Sequence, residues 1–219
     1  METMQKLYDS QARQRVPMRI SFGAEAYEVT FHFKPLDDES IINYIDAQLE
    51  PGESASPALF KHLIESADGC GDGDKPFTAT ELGELVPEVD QAFAIDSGLL
   101  GTSLLPNQKA TRWLNWRRPP VSANYSLEAF FDGSTITTRH NLGLPTSEHY
   151  RVYQSLQAKS FPIKFGDLLI RSYGRGLIAL YEAMVIANSG YANDRVPAHH
   201  KMVVVAAHLR GQRDLMLGK

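Results

Sequence analysis

Seven histidines, one cysteine and an acidic, glycine-rich loop are the residues from which this 219-residue chain could build a reactive site. His199, His200 and His208 fall in one helical stretch. A helix-borne zinc site commonly uses histidines at i and i+4 with a third ligand from elsewhere. The nearest usable spacing here is eight residues, two turns apart. These histidines are therefore read as surface or capping groups, and no metal or cofactor is expected. His149 beside Glu148 pairs a base with an acid only in sequence, because helix neighbours point different ways. With Arg139 and His140 they are the first residues to test if the two halves of the chain enclose a cleft. No serine elbow, phosphate-binding Walker loop or dinucleotide fingerprint is present. No catalytic residue is assigned, and the reading leans away from an enzyme.

The stretch from Asp68 to Asp74 invites a calcium reading, with Gly73 at the sixth place of a twelve-residue loop. It fails elsewhere. Cys70 replaces an oxygen ligand, Lys75 takes the usual apolar place and Ala79 replaces the bidentate glutamate. An acidic surface loop is the expectation. Cys70 could act as a nucleophile only with a base and an orienting group around it, and the sequence shows neither.

Residues 101–121 carry three prolines and a local excess of positive charge. Lys109, Arg112, Arg117 and Arg118 interleave with both tryptophans, Trp113 and Trp116. Arginine with tryptophan is the composition of interface hot spots. It also suits stacking on single-stranded nucleic acid. Against both stands the reading that the tryptophans plug a seam between two halves. Arg112, Trp113, Trp116, Arg117 and Arg118 are the candidate partner-binding set.

The elements that would position these residues appear twice. Runs over 18–23 and 26–33 form a hairpin, with Val29, Phe31 and Phe33 on one apolar face. Lys34-Pro35 ends it, and Asp37, Asp38 and Glu39 suit a helix start. Ile41, Ile42, Ile45 and Leu49 follow at helical spacing. A second helix is expected over 56–67, and a third carrying Leu85, Val89, Phe93 and Ile95. After the connector, Asp132-Gly133 marks another hairpin. Thr146-Ser147-Glu148 opens a helix, a longer one is expected over 168–188, and the last begins at Val196-Pro197.

Four landmarks thus recur in one order. Phe22-Gly23 pairs with Phe131-Asp132-Gly133, and Asp37-Asp38-Glu39 with Thr146-Ser147-Glu148. Ala58-Leu59-Phe60 pairs with Ala179-Leu180-Tyr181, each followed by a glycine, Gly69 or Gly190. Val86-Pro87 pairs with Val196-Pro197. The expected architecture is α+β, a tandem duplication of two related units, each a β-hairpin followed by about three helices. Its parts are an N-terminal arm over 1–16, a first unit over 17–104, a connector over 105–121 and a second unit over 122–212.

A hydrophobic fraction of 43% with 22% charged residues is that of a globular protein. A net charge of -4 speaks against nucleic acid held by overall charge. One cysteine excludes an intrachain disulfide framework. The first sixteen residues lack the apolar core of a signal peptide, and no apolar run is long enough to span a bilayer.

Lys34, Pro35, Leu36, Asp37, Asp38 and Glu39 complete the phrase VTFHFKPLDDESIINYI, which resembles the opening of small phage and prophage tail proteins, particularly tail assembly chaperones. Leu144 to Glu148 carries a fainter version. The resemblance covers about a tenth of the chain. It implies a non-catalytic protein, cytoplasmic or virion-associated, that binds viral structural proteins. The leading expectation is a protein-interaction or assembly protein with a protein partner, no membrane, and room for a homo-oligomer. The alternatives are an enzyme with its site between the units and a single-stranded nucleic-acid binder using the connector.

Overall fold

Alternating apolar residues set the first sheet. The computed structural model describes residues 13–22, 25–48, 55–105, 122–149, 151, 163–165, 168–170, 173–191 and 195–216. Strand β1 (Gln14–Phe22) pairs antiparallel with β2 (Glu25–Phe33), with Phe22 opposite Glu25 at the tip. Val16, Met18 and Ile20 of β1 and Val29, Phe31 and Phe33 of β2 all turn to one buried face. The strand therefore starts earlier than the sequence pattern marks, inside the span read as an arm.

Helix α1 (Asp38–Gln48) is opened by Asp37, whose carboxylate accepts from the Ser40 amide at 2.8 Å and the Ser40 hydroxyl at 2.9 Å. Ile41, Ile42 and Tyr44 are buried. Leu49 lies outside the described residues. Helix α2 (Ser56–Leu63) then runs with no loop into β3 (Ile64–Asp68), which pairs with β2. The single helix expected over 56–67 is thus a helix and a strand. Ile64 drops to an extended conformation and is fully buried between sheet and helices. The rings of Phe31 and Phe33 meet Phe60 of α2 edge-on, at 5.2 and 5.6 Å between centroids.

Beyond β3, the acidic loop folds back as a short ribbon, β4 (Gly71–Asp72) against β5 (Lys75–Pro76). Thr78 and Glu81 form a reciprocal capping box on α3 (Ala79–Leu85). Val86-Pro87 then breaks the chain before α4 (Glu88–Phe93), which continues as a π-helical turn over Ala94–Leu99. The third expected helix is therefore two. Buried Gln91 ties them, its amide donating to the carbonyls of Gly83 and Val86.

The second sheet has the order β11-β8-β7-β6. Strand β6 (Thr102–Leu104) joins this sheet rather than the first. Strands β7 (Ser122–Phe131) and β8 (Ser134–Gly143) turn at Asp132-Gly133, both with positive φ, 48° and 73°. That is the geometry an Asp-Gly hairpin turn adopts. Thr146 opens a helical stretch at 147–149, its hydroxyl accepting from the His149 amide at 3.3 Å. Strands β9 (Ile163–Phe165) and β10 (Leu168–Ile170) form a small hairpin. Helix α5 (Tyr173–Met184) runs directly into β11 (Val185–Ser189), and α6 (Ala198–Met216) follows Pro197. The long helix expected over 168–188 is thus strand, helix and strand.

The two sheets repeat one pairing scheme. Thr30, Phe31 and His32 lie opposite Asp68, Ala67 and Ser66, and Phe33 opposite Ile64. Arg139, His140 and Asn141 lie opposite Ser189, Asn188 and Ala187, and Leu142 opposite Val185. Each ladder skips one residue at the same place, Glu65 in one and Ile186 in the other. Gly69 (φ 83°) and Gly190 (φ 94°) directly follow β3 and β11. A Cβ at Gly69 would sit 2.3 Å from the Glu28 carbonyl oxygen, and one at Gly190 3.1 Å from that of Thr137. Glycine meets both the left-handed backbone and the close approach.

Among the described residues there are two hydrophobic clusters, one under each of the two larger sheets, and Ile45 and Ile178 touch both. The clusters meet where α1 lies against α5 and α6. Asp38 Oδ1 accepts from the Ala198 amide and Asp46 Oδ1 from the Gly174 amide, both at 3.0 Å. Carboxylates of α1 therefore cap the starts of both helices across the junction. Arg15 of β1 pairs with Asp132 of the second hairpin.

Candidate functional site

The catalytic candidates from sequence do not converge. His140 is buried under the second sheet, on the opposite face of β8 from exposed Arg139. His149 closes its own helix start, Nδ1 accepting from the Thr146 amide at 3.1 Å. Glu148 pairs with Arg151 at 3.1 Å on an exposed surface. Arg112, Trp113, Trp116, Arg117 and Arg118 lie outside the described residues. Among the described residues no group of three or more His, Cys, Asp or Glu is placed to hold a metal ion.

The reading of His199, His200 and His208 as surface or capping groups is overturned: all three are buried, as is His140. The period-two face of β8 carries Ile136, Thr138, His140 and Leu142 inward, so strand alternation was the available signal. The remaining members come from distant segments. His140 Nδ1 meets the Tyr181 hydroxyl of α5 at 2.7 Å, and Nε2 meets the Tyr191 hydroxyl at 2.8 Å. The Tyr191 hydroxyl also reaches Thr138 at 2.9 Å and His200 Nδ1 of α6 at 2.9 Å.

The Tyr191 hydroxyl donates to Thr138 Oγ1. In the tautomers consistent with that direction, His140 Nε2 and His200 Nδ1 donate to the Tyr191 oxygen. His140 Nδ1 is left to accept from Tyr181. A second, separate relay runs from the Tyr125 hydroxyl to His208 Nδ1, with His208 Nε2 donating to the Gly143 carbonyl at 2.9 Å. Every ring in these relays is neutral. Desolvation lowers His140 to about 4 and His199 to about 3. It also lowers His200, with neighbouring His199 and His140 adding to the effect. His208 is lowered by burial, partly offset by its bond to Gly143.

A groove and an apolar helix face lie open on the first half, and Ile186 is exposed at 63% on the second. A groove of about 730 Å³ is lined by Tyr27, Cys70, Phe77 and Leu85, with Asp68, Asp74 and Lys75 among its polar groups. Burial, and secondarily the Asp68 charge, push the Cys70 thiol up, away from the reactive thiolate. Helix α4 shows solvent two apolar side chains one turn apart, Val89 at 74% and Phe93 at 57% exposure.

The start of α6 is covered. Val86-Pro87 and Val196-Pro197 precede the two helices, and Ala94, Ile95 and Leu99 after the first and Val204, Val205 and Leu209 in the second are all fully buried. On the other side of the helix the two differ. Glu88 and Val89 are exposed, whereas Ala198 and His199 are buried. Ala198 belongs to the first half's core, beneath α1.

No family model, curated protein or solved structure matches the chain. No helix among the described residues is long and apolar enough to cross a membrane.

Proposed function

We propose that the chain is a non-enzymatic assembly protein made of two related units, duplicated in tandem, which binds a protein partner through the α4 face. The duplication is supported by the shared register and the shared bulge of the β2·β3 and β8·β11 ladders. It is supported further by the matched buried positions of α2 and α5: Ser56, Leu59, Phe60 and Leu63 against Leu177, Leu180, Tyr181 and Met184. Asp37 and Thr146 take the same capping place ahead of Ser40 and His149.

The observation that carries the function is the uncovered pair Val89 and Phe93. In the second unit the matching helix start is buried beneath a helix of the other unit, so this fold uses that face for docking. A large exposed aromatic with an exposed apolar neighbour one turn away is what a protein partner can bury. The internal hydrogen bonds of buried His140, His200 and His208 support a structural role for them. The partner class we propose follows the Lys34-to-Glu39 phrase: structural proteins of a phage or prophage particle.

Co-expression with the products of adjacent genes, followed by affinity purification, tests this reading. A stoichiometric complex should form with the wild type and be lost in Val89→Asp/Phe93→Asp. Both positions are exposed, so the variant should melt where the wild type does. A complex that survives the double substitution refutes the α4 face, and the absence of any complex refutes the assembly role.

A further inference from the structure

We infer that the α4 face takes a basic amphipathic helix of its partner, which lays apolar side chains over Val89 and Phe93 and sets lysine or arginine against the acids on either side. The inference rests on the reading of this face as a docking surface and names the chemistry of what docks there.

The face is apolar along its middle and acidic at its edges. Val89 and Phe93 stand one turn apart, and both are exposed. Glu88 and Asp90 are the chain neighbours of Val89, so they project about 100° to either side of it around the helix. Exposed Asp96 follows three residues beyond Phe93. From Ala79 to Gly101 the chain carries five acids and no lysine, arginine or histidine. Two of the five are engaged, Glu81 in the capping box with Thr78 and Asp96 by the hydroxyls of Tyr44 and Ser56. Among the described residues, no hydrogen bond or ion pair engages the carboxylates of Glu84, Glu88 or Asp90. Lys61 packs along Gly83 and Lys75 acts electrostatically on Glu81, both on α3.

This pattern selects the partner. A neutral apolar surface would cover Val89 and Phe93 but strip water from the carboxylates without supplying a counterion. An acidic surface would add repulsion. A helix with apolar residues at i and i+4 matches the spacing of the pair. Lysine and arginine on its flanks cover apolar surface with their stems while their charged heads reach the acids. The chain itself shows this arrangement with the signs reversed. At the junction, α1 surrounds Ile42 and Ile45 with Asp38, Glu39 and Asp46 and covers the starts of α5 and α6. Its Asp38 and Asp46 take the Ala198 and Gly174 amides, and Glu39 meets Arg175 of α5 at 3.7 Å. There the covering helix brings the acids. On α4 the acids are already in place, so the covering helix must bring the bases.

Two labelled helical peptides of about 18 residues test the inference. One has leucines along one face flanked by lysine and arginine, and the other has the same leucines flanked by glutamate. Fluorescence anisotropy with the full chain measures binding, and amide shifts in ¹H–¹⁵N spectra locate it. The basic peptide should bind in the micromolar range and shift the α4 amides, and the acidic one should not bind. Raising salt from about 0.05 to about 0.5 M should weaken binding about tenfold. Glu84→Gln/Glu88→Gln/Asp90→Asn should weaken it about tenfold at low salt and remove most of the salt dependence. Val89→Ser/Phe93→Ser should abolish it at both salts, and both variants should melt near the wild type. A basic peptide that does not bind, binds away from α4, or binds the neutralised variant equally well overturns the inference. The neutralised variant also separates the two readings in the co-purification. A complex that keeps its strength there but is lost in Val89→Asp/Phe93→Asp overturns the basic partner and leaves the α4 face standing; a complex kept in both overturns both. A wild type that self-associates in sedimentation velocity, with the association lost in Val89→Ser/Phe93→Ser, puts a second copy on the face and overturns the inference.

Discussion

Acidification should unfold this protein through its buried histidines well before the carboxylates titrate. His140 stays neutral in the fold down to about 4, and His199 to about 3, against 6.5 in the open chain. Between those values the unfolded state binds protons that the folded state refuses. Stability is therefore full above the unfolded value and falls as pH drops through it. A histidine held at about 4 destabilises the fold at pH 5 by about 2 kcal/mol. His140 and His199 together remove about 4 kcal/mol, and His200 and His208 act in the same direction. That is a large share of the 5–15 kcal/mol typical of a domain (roughly). Urea titrations followed by far-UV circular dichroism at half-unit steps from pH 7.5 to 5 read the loss directly. Most carboxylates stay ionised across this window. The control is His140→Phe/Tyr181→Phe, which installs a strand–helix phenylalanine pair of the kind Phe31 and Phe60 form under the first sheet. Its fall in stability between pH 7.5 and 5 should be about 2 kcal/mol smaller. A flat profile in the wild type, or an unchanged fall in the variant, would refute the assignment of neutral buried rings.

Three further outcomes follow from local geometry. Gly69→Ala should destabilise by more than about 2 kcal/mol, and Gly190→Ala by less, because only the first drives a Cβ into a carbonyl at 2.3 Å; urea midpoints rank them. Asp46→Ala should lower stability by about 1–3 kcal/mol, since the buried Gly174 amide loses its acceptor across the junction; thermal melts measure it. Cys70 should react with a thiol reagent far more slowly in the native protein than in urea at pH 8, because its thiol is half-buried and its ionisation is opposed by Asp68; equal rates would contradict the burial.

Much of the framework was legible wherever one local rule acted alone. Val29, Phe31 and Phe33 alternate because one sheet face is buried, and Asp132-Gly133 supplies the two positive φ angles of its turn. Asp37 and Pro197 mark helix starts by the donors they satisfy or lack. Ile64 to Asp68 was misread because Leu59, Phe60, Leu63, Ile64 and Ala67 keep helical spacing into the strand. The extra residue of the bulge, Glu65, breaks the period of two that would have exposed it. The same bulge at Ile186 hid β11. The histidine network was illegible as a unit, since Thr138, His140, Tyr181, Tyr191 and His200 come together only through tertiary packing. The open α4 face was hidden for a different reason: Val89 and Phe93 have the spacing of core residues, and only the folded protein shows both exposed.

The absence of any loop between α2 and β3, and between α5 and β11, makes each helix and its strand a single lever. One added residue between Leu63 and Ile64 would rotate the helix by about 100° and flip every later side chain of the strand to the opposite face. Neither error can be corrected without the other, because no slack separates the two periodicities. Insertions and deletions should therefore be rejected at residues 63–64 and 184–185 in any functional variant library, while the tip of the ribbon around Gly73, where a Cβ would meet open space, should absorb them.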